Sequence, residues 1–249
     1  MTEPTTAQAL DLAALPVVLS VWKPCYRLIA SRYPTVGLYD DIADPADLDA
    51  VFAIEALTDP RWREELGVLQ TIPREDRVSG PGTTPIMAAF THLNPEGSRF
   101  SAGQYGVYYA ADSLATAVAE VSHHRGAFLA RTKEPPIDVD LRLVLAELKA
   151  PLHDLRGLRE SHPALYHPQD CSAGRQLGAR LRAAGSAGLR YWSVRHDGGQ
   201  CAAVLRPRAL ARARQGAHIA LHWDGQRISH WYEKRAPKPV PNNDRRHPR

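Results

Sequence analysis

The sequence predicts an α+β fold: one domain of mixed and antiparallel sheets with flanking helices. Three observations predict it. Alternating runs flank two turn sequences, His196-Asp197-Gly198-Gly199 and Asp224-Gly225, which read as β-hairpins and therefore as antiparallel pairs. Amphipathic helical runs stand between the strand runs without following every one, as an all-parallel sheet would need. No internal repeat and no clean linker divides the 249 residues, a length that suits one sizeable core.

Taken in order, residues 1–15 read as a mobile lead-in or a short helix. The run VVLSVWKPCYRLIA, 17–30, is rich in β-branched and aromatic residues, a strand broken at Pro24, which has no N–H to give a ladder. In DPADLDAVFAIEAL, Asp44 is a good N-cap, Pro45 suits the first helical position, and Leu48, Val51, Phe52 and Leu57 recur at helical spacing. Residues 59–98 are dense in proline and glycine and read as an irregular insertion with one short helix at 60–66. YGVYYAA, 105–111, is a strand, after which Asp112 or Ser113 caps the helix LATAVAEVSHH. Its Leu114, Ala117, Val118 and Val121 form one apolar stripe. IDVDLRLVLAELK, 137–149, alternates as a strand in its first half, and SAGRQLGARLRAA, 172–184, is a helix stopped at Gly185. LRYWSVR pairs with QCAAVLR, and ALHW with RISHWYE, across the two turns. One folded domain is expected over 16–234.

Composition excludes several functions. The tail RAPKPVPNNDRRHPR, 235–249, carries five Lys/Arg and one Asp, which is the whole of the chain's net charge of +4. It has almost nothing to bury and is expected to be disordered, so the folded body is neutral and nucleic acid is not expected as a direct partner. No apolar run reaches the length a membrane span needs, and the N-terminus lacks the basic-then-apolar pattern of a secretory signal. Three separated cysteines with no CxxC fit a reducing cytoplasm and exclude a disulfide scaffold. Neither the scattered histidines nor His123-His124 make a metal-ligand pattern; they read as solvated or capping residues, and neither metal nor resident cofactor is expected. SGPG at 79–82 lacks the rest of a phosphate loop, and no serine sits in a GxSxG elbow.

Four segments stand out together: Tyr26-Arg27; Arg99-Phe100-Ser101-Ala102-Gly103 with Tyr108-Tyr109; Glu120; and Tyr191-Trp192-Ser193-Val194-Arg195 before Gly198-Gly199. Taken singly, Glu120 is an ordinary helix-face charge, Arg99 a loop arginine, Tyr109 a half-buried strand aromatic and Ser193 a strand residue bonded to its neighbours. Jointly, in this order and with ten residues from Arg99 to Tyr109 and eleven from Tyr109 to Glu120, they resemble the RES-domain family, named for an arginine, a glutamate and a serine. The resemblance runs over about residues 20–210. Phe100 stands where the family usually has tryptophan, and the interval from Arg27 to Arg99 is longer than in the shortest members.

The resemblance implies a fold similar to ADP-ribosyltransferase toxins. It also implies cleavage of the nicotinamide–ribose bond of NAD⁺, a substrate and not a cofactor, with water or inorganic phosphate as acceptor. Many members are toxins neutralised by a cognate antitoxin, so a protein antitoxin is the implied partner. The residue types suit that chemistry. Glu120, about 110° from the centre of its helix's apolar stripe, can face an oxocarbenium-like ribose from the edge of the core. The planar fork of Arg99 can hold a pyrophosphate, the ring of Tyr109 can stack on the cationic nicotinamide and its hydroxyl can anchor a further contact. Ser193 offers a small donor and acceptor to ribose or carboxamide, and Arg27 joins Arg99, Tyr109 and Ser193 as a binding residue. Arg32 and Arg195 are as well explained as surface arginines. Transfer of ADP-ribose to a protein and non-catalytic NAD⁺ binding are the competing readings; a homodimer, the antitoxin's docking place and use of NADP stay open.

Overall fold

A computed structural model describes residues 10–31, 39–40, 44–48 and 69–235. Within them lie seven strands: β1 (Val17–Ala30), β2 (Tyr108–Ala111), β3 (Ile137–Asp154), β4 (Gly188–Trp192), β5 (Gln200–Val204), β6 (Leu210–Trp223) and β7 (Ile228–Lys234). Three α-helices accompany them: α1 (Thr84–Thr91), α2 (Leu114–Thr132) and α3 (Ser172–Ala183). The α+β expectation holds.

The strands form two antiparallel ladders, β1–β3–β6–β7 and β2–β5–β4. They join at two corners. At one, Tyr26 of β1 faces Ala111 of β2; at the other, His153 and Asp154 of β3 pair in parallel with Leu189 and Arg190 of β4. Each helix covers a separate part of the core. Ile86, Met87 and Phe90 of α1 pack with Leu148, Leu152 and Tyr108. Leu177 and Leu181 of α3 pack with Phe100 and Tyr191, and Ala117 and Val118 of α2 with Leu28 and Ile219. β5 is buried along Cys201-Ala202-Ala203-Val204, so its unbroken run of small apolar residues reflects cover on both faces.

Both hairpins form as expected. Asp224 Oδ1 accepts from the backbone N–H of Gln226 and Arg227, closing the tighter one. The register of β1 on β3 shifts between Trp22 and Cys25, around Pro24. Ser113 is the α2 cap, its Oγ accepting from Thr116 N at 3.2 Å. Three cysteines are free, and no described helix is long and apolar enough to cross a membrane.

Three elements differ from expectation. The segment read as irregular contains α1, because its proline falls in the first turn, where a missing N–H costs nothing. Asp40, far back in the chain, caps that helix: its Oδ1 accepts from Thr84 N at 2.9 Å and Thr84 Oγ1 at 2.7 Å. α2 continues past His124 to Thr132, and β2 starts at Tyr108 instead of residue 105. Asp44 does cap, accepting from Ala46 N at 2.8 Å, over a 3-10 turn, Pro45–Asp47. The rest of that expected helix, the helix at 60–66, Arg32 and the tail from 236 lie outside the described residues.

Candidate active site

Glu120 lies in the second turn of α2, half-buried as its place at the edge of the apolar stripe requires. The β4–β5 connection brings Ser193 to it. Ser193 Oγ donates to Glu120 Oε1 at 2.6 Å and accepts from the backbone N–H of Arg195 at 3.0 Å and of His196 at 2.9 Å. With both acceptor directions filled by backbone donors, the hydroxyl proton has one direction left, toward the carboxylate. The Cys201 thiol, from β5, approaches the same oxygen at 3.7 Å. Oε2 has no hydrogen-bond partner among the described residues, so the carboxylate is held at one oxygen and free at the other. Burial first, then the Glu120 charge, pushes the Cys201 thiol well above its ordinary pKa, so the thiol stays protonated and donates.

Arg99 begins a loop fixed by its neighbours' hydroxyls. Phe100 N donates to Tyr109 Oη at 2.9 Å, and Tyr105 Oη donates to Phe100 O at 2.7 Å, so two tyrosines hold the backbone of one residue. Ser98 Oγ shares a 2.7 Å bond with the same Tyr109 hydroxyl. Helix α3 presses on this loop through two glycines: a Cβ on Gly174 would come 2.4 Å from Arg99 O, and one on Gly178 would come 2.1 Å from Phe100 O. Arg175, one position after the first of these, adds a bond from Nε to Ser98 O at 3.0 Å. The Arg99 guanidinium donates through Nη1 to Leu165 O and His167 O, both at 3.1 Å, and its other nitrogens make no further hydrogen bonds among the described residues.

The two halves meet electrostatically around Tyr191, whose ring lies edge-on to Phe100 at 5.0 Å. Burial dominates the strong rise in its phenol pKa. The charge of Glu120 and the Tyr109 phenol add to the rise, and Arg99 opposes it. Arg195 joins them: its pKa is lowered by burial, raised by Glu120 and lowered again by Arg99, and its Nη2 donates to Pro168 O. Glu120, Arg99, Tyr109, Ser193 and Arg195 therefore belong to one neighbourhood, although the Arg99 loop, β2, α2 and the β4–β5 connection supply them separately.

Arg27 does different work. Its Nη1 donates to Tyr109 O at 3.1 Å and its guanidinium lies 4.7 Å over the Tyr108 ring, so it ties β1 to β2 behind the site. The hydroxyl of Tyr109, expected to reach a ligand, is taken up by Ser98 and Phe100, and burial pushes its pKa up to about 12. Its role is to hold the Arg99 loop. Ser193, expected to meet a ribose, spends its proton on Glu120.

Sequence reasoning passed over four contributors. His124, one helical turn beyond Glu120, was read as a solvated or capping residue. Its pKa is lowered by burial and by Arg195 and Arg99, with Glu120 opposing, which makes it a neighbour of the same charges. Tyr105 was visible only as a member of a strand, Cys201 as one of three separated cysteines, and Arg195 was as well explained as a surface arginine. The i, i+4 pairing of Gly174 and Gly178 was the one overlooked signal, since glycines at that spacing on an amphipathic helix mark close backbone approach.

An open depression of about 480 Å³ is lined by Arg156, Arg159, Glu160, Trp192 and Asp197. No group of three or more described His, Cys, Asp or Glu residues is arranged to hold a metal ion.

Comparison with known proteins gives three findings. The family model described as RES domain matches residues 74–224. The protein y4oC of Sinorhizobium fredii (strain NBRC 101917 / NGR234), itself uncharacterized, is 35% identical over 211 residues, 83% of this chain and 86% of that protein. Among solved structures, a chain of the M. tuberculosis MbcT–MbcA toxin–antitoxin complex aligns with a TM-score of 0.47 and 13% identity, over 82% of this chain and 86% of its own length.

Proposed function

This chain belongs to the RES domain family, and on that premise we propose that it cleaves the bond between nicotinamide and ribose in NAD⁺, with water or inorganic phosphate as acceptor. The observation that carries the reading is the carboxylate of Glu120, fixed at Oε1 by Ser193 at 2.6 Å and without a hydrogen-bond partner at Oε2 among the described residues, in a neighbourhood that also holds Arg99 and Arg195. Such a carboxylate suits a reaction in which positive charge develops on carbon and the leaving group departs neutral.

In the proposed reaction, the bond from ribose C1′ to the pyridinium nitrogen breaks and its electron pair leaves with nicotinamide. Glu120 Oε2 faces the oxocarbenium-like C1′. The oxygen of water or phosphate then forms the new bond to C1′; with water as acceptor, the proton it loses passes to the carboxylate and on to solvent. Arg99, with Nη1 committed to Leu165 and His167, offers its remaining N–H groups to the pyrophosphate. Tyr109 contributes its ring and the loop it anchors, Ser193 orients Glu120, and Arg27 supports the wall from β1. Unrestrained loss of NAD⁺ would harm the producing cell. We therefore read the protein as the toxin of a cytoplasmic toxin–antitoxin pair, restrained by a cognate antitoxin protein.

The test is to incubate the purified protein with NAD⁺, with and without inorganic phosphate, and follow nicotinamide. Release under either condition is expected, with the phosphate dependence naming the acceptor. No release under both removes the reading, and label left covalently on a protein would replace it with ADP-ribosyl transfer.

A further inference from the structure

The Ser193 loop carries a second anchor that the proposed chemistry does not use. Thr116, fully buried one turn before Glu120 on α2, places Oγ1 at 2.9 Å from His196 Nδ1 and 3.1 Å from Asp112 Oδ1. A carboxylate only accepts, so the threonine proton goes to Asp112, and His196 must then carry a proton on Nδ1 to complete the pair. Ser113 Oγ, at 2.8 Å from Thr116 Oγ1, fills the last direction. The result is a directed chain, His196 to Thr116 to Asp112, from the loop into the first turn of the Glu120 helix.

The same loop is closed on itself. Ser193 N donates to Gly199 O at 2.8 Å, and Gly199 N to His196 O at 3.1 Å. Asp112 also holds the loop's far end: its Oδ2 accepts from Gln200 N at 3.2 Å and its backbone N donates to Gln200 O at 3.0 Å. Gly199 lies where the anchor crosses the loop. A Cβ there would come 2.5 Å from Thr116 Oγ1 and 2.7 Å from His196 Nδ1, whereas a Cβ on Gly198 would meet nothing within 4 Å. The second glycine of the pair is thus required by the anchor, and the first only by the turn, where its φ is +71°.

We propose that the His196–Thr116–Asp112 chain is a latch that sets the distance between Ser193 and Glu120, making Thr116 and His196 positioning residues for the reaction. His196 is linked to Ser193 directly, through its N–H on Ser193 Oγ. Thr116 and Glu120 share one helix four residues apart. The latch therefore fixes the loop against the same rigid element that carries the carboxylate, where an error of about 1 Å is enough to cost much of a rate.

The turnover half of this inference rests on the NAD⁺-cleaving reading; the structural half does not. The test is hydrogen–deuterium exchange on the full chain for wild type, Thr116→Val and Thr116→Ser, alongside nicotinamide release. Thr116→Val keeps the shape and removes the relay, so the amides of Ser193, Arg195 and His196 are expected to exchange about tenfold faster, the scale of one buried hydrogen bond. In the same variant kcat is expected to fall about tenfold with KM for NAD⁺ nearly unchanged, and Thr116→Ser restores both. Should Thr116→Val not fold, His196→Ala, at a partly exposed position, reads the same latch from the loop side. Unchanged exchange in the unlatched variant overturns the latch. Faster exchange with unchanged kcat overturns the positioning role. A wild type that releases no nicotinamide overturns the reaction alone, because exchange still decides the latch.

Discussion

Replacing Ser193 by alanine tests the centre of the site and its loop together. Ser193 is 2% exposed, and its hydroxyl donates at 2.6 Å to Glu120 and accepts from two backbone N–H groups at 3.0 and 2.9 Å. Removing it orphans buried donors and strips a charged acceptor of its best partner. Each such loss is worth about 1–3 kcal/mol, and because the three bonds share one atom they do not simply add. A total of about 2–3 kcal/mol follows, or roughly 4–12 °C in melting temperature for a chain of this length. Turnover should fall further than folding predicts, by about 10- to 100-fold, since Glu120 loses the group that aims it. Thermal melting and nicotinamide release on the same preparation read both quantities. A variant that melts within 1 °C of wild type and turns over within twofold would refute the reasoning. A stability loss with normal turnover would make Ser193 a loop residue only.

Other expectations follow from the same geometry. Glu120→Gln should cut turnover by on the order of a thousandfold while melting stays close to wild type, because the side chain is half-buried and not part of the core; strong unfolding would favour a structural role. Gly178→Ala forces a Cβ to within 2.1 Å of Phe100 O and should cost about 1–3 kcal/mol, seen as a lower urea midpoint, whereas Gly157→Ala, with open space around it, should be nearly neutral. Alkaline pH should unfold the protein through its buried phenols. Burial raises Tyr109 and Tyr166 from the usual 10 to about 12, so the stability they supply is complete below pH 10 and drains away as pH climbs toward 12. Denaturant midpoints measured across that window should fall, and Tyr109→Phe should flatten the slope; a slope unchanged in that variant would place the phenol's titration elsewhere.

Much of the scaffold was legible from local chemistry. Both hairpins, the Ser113 cap, the α3 stop before Gly185 and the break at Pro24 each depend on groups a few residues apart, and such interactions leave a pattern in the chain. Helix α1 was not legible. Its proline looked like a breaker, and the carboxylate that caps it, Asp40, is 44 residues away. The partners of two site hydroxyls, Tyr109 and Ser193, were hidden for the same reason. The spacing of Arg99, Tyr109, Glu120 and Ser193 singled them out, yet whether a hydroxyl faces a ligand or a neighbour depends on what the fold places beside it.

The order of residues thus determined which local elements form and which side chains are candidates, because turns, caps and hydrophobic periods act over short range and family spacing survives in one dimension. Tertiary structure alone decided what those side chains touch. Oε1 of Glu120 meets Ser193 and Cys201, which lie 73 and 81 residues further along, and Thr116 meets His196 at a separation of 80. Hydrogen bonds reach about 3 Å, so contacts across such separations exist only once the two ladders have closed at their corners and brought β4, β5 and α2 together.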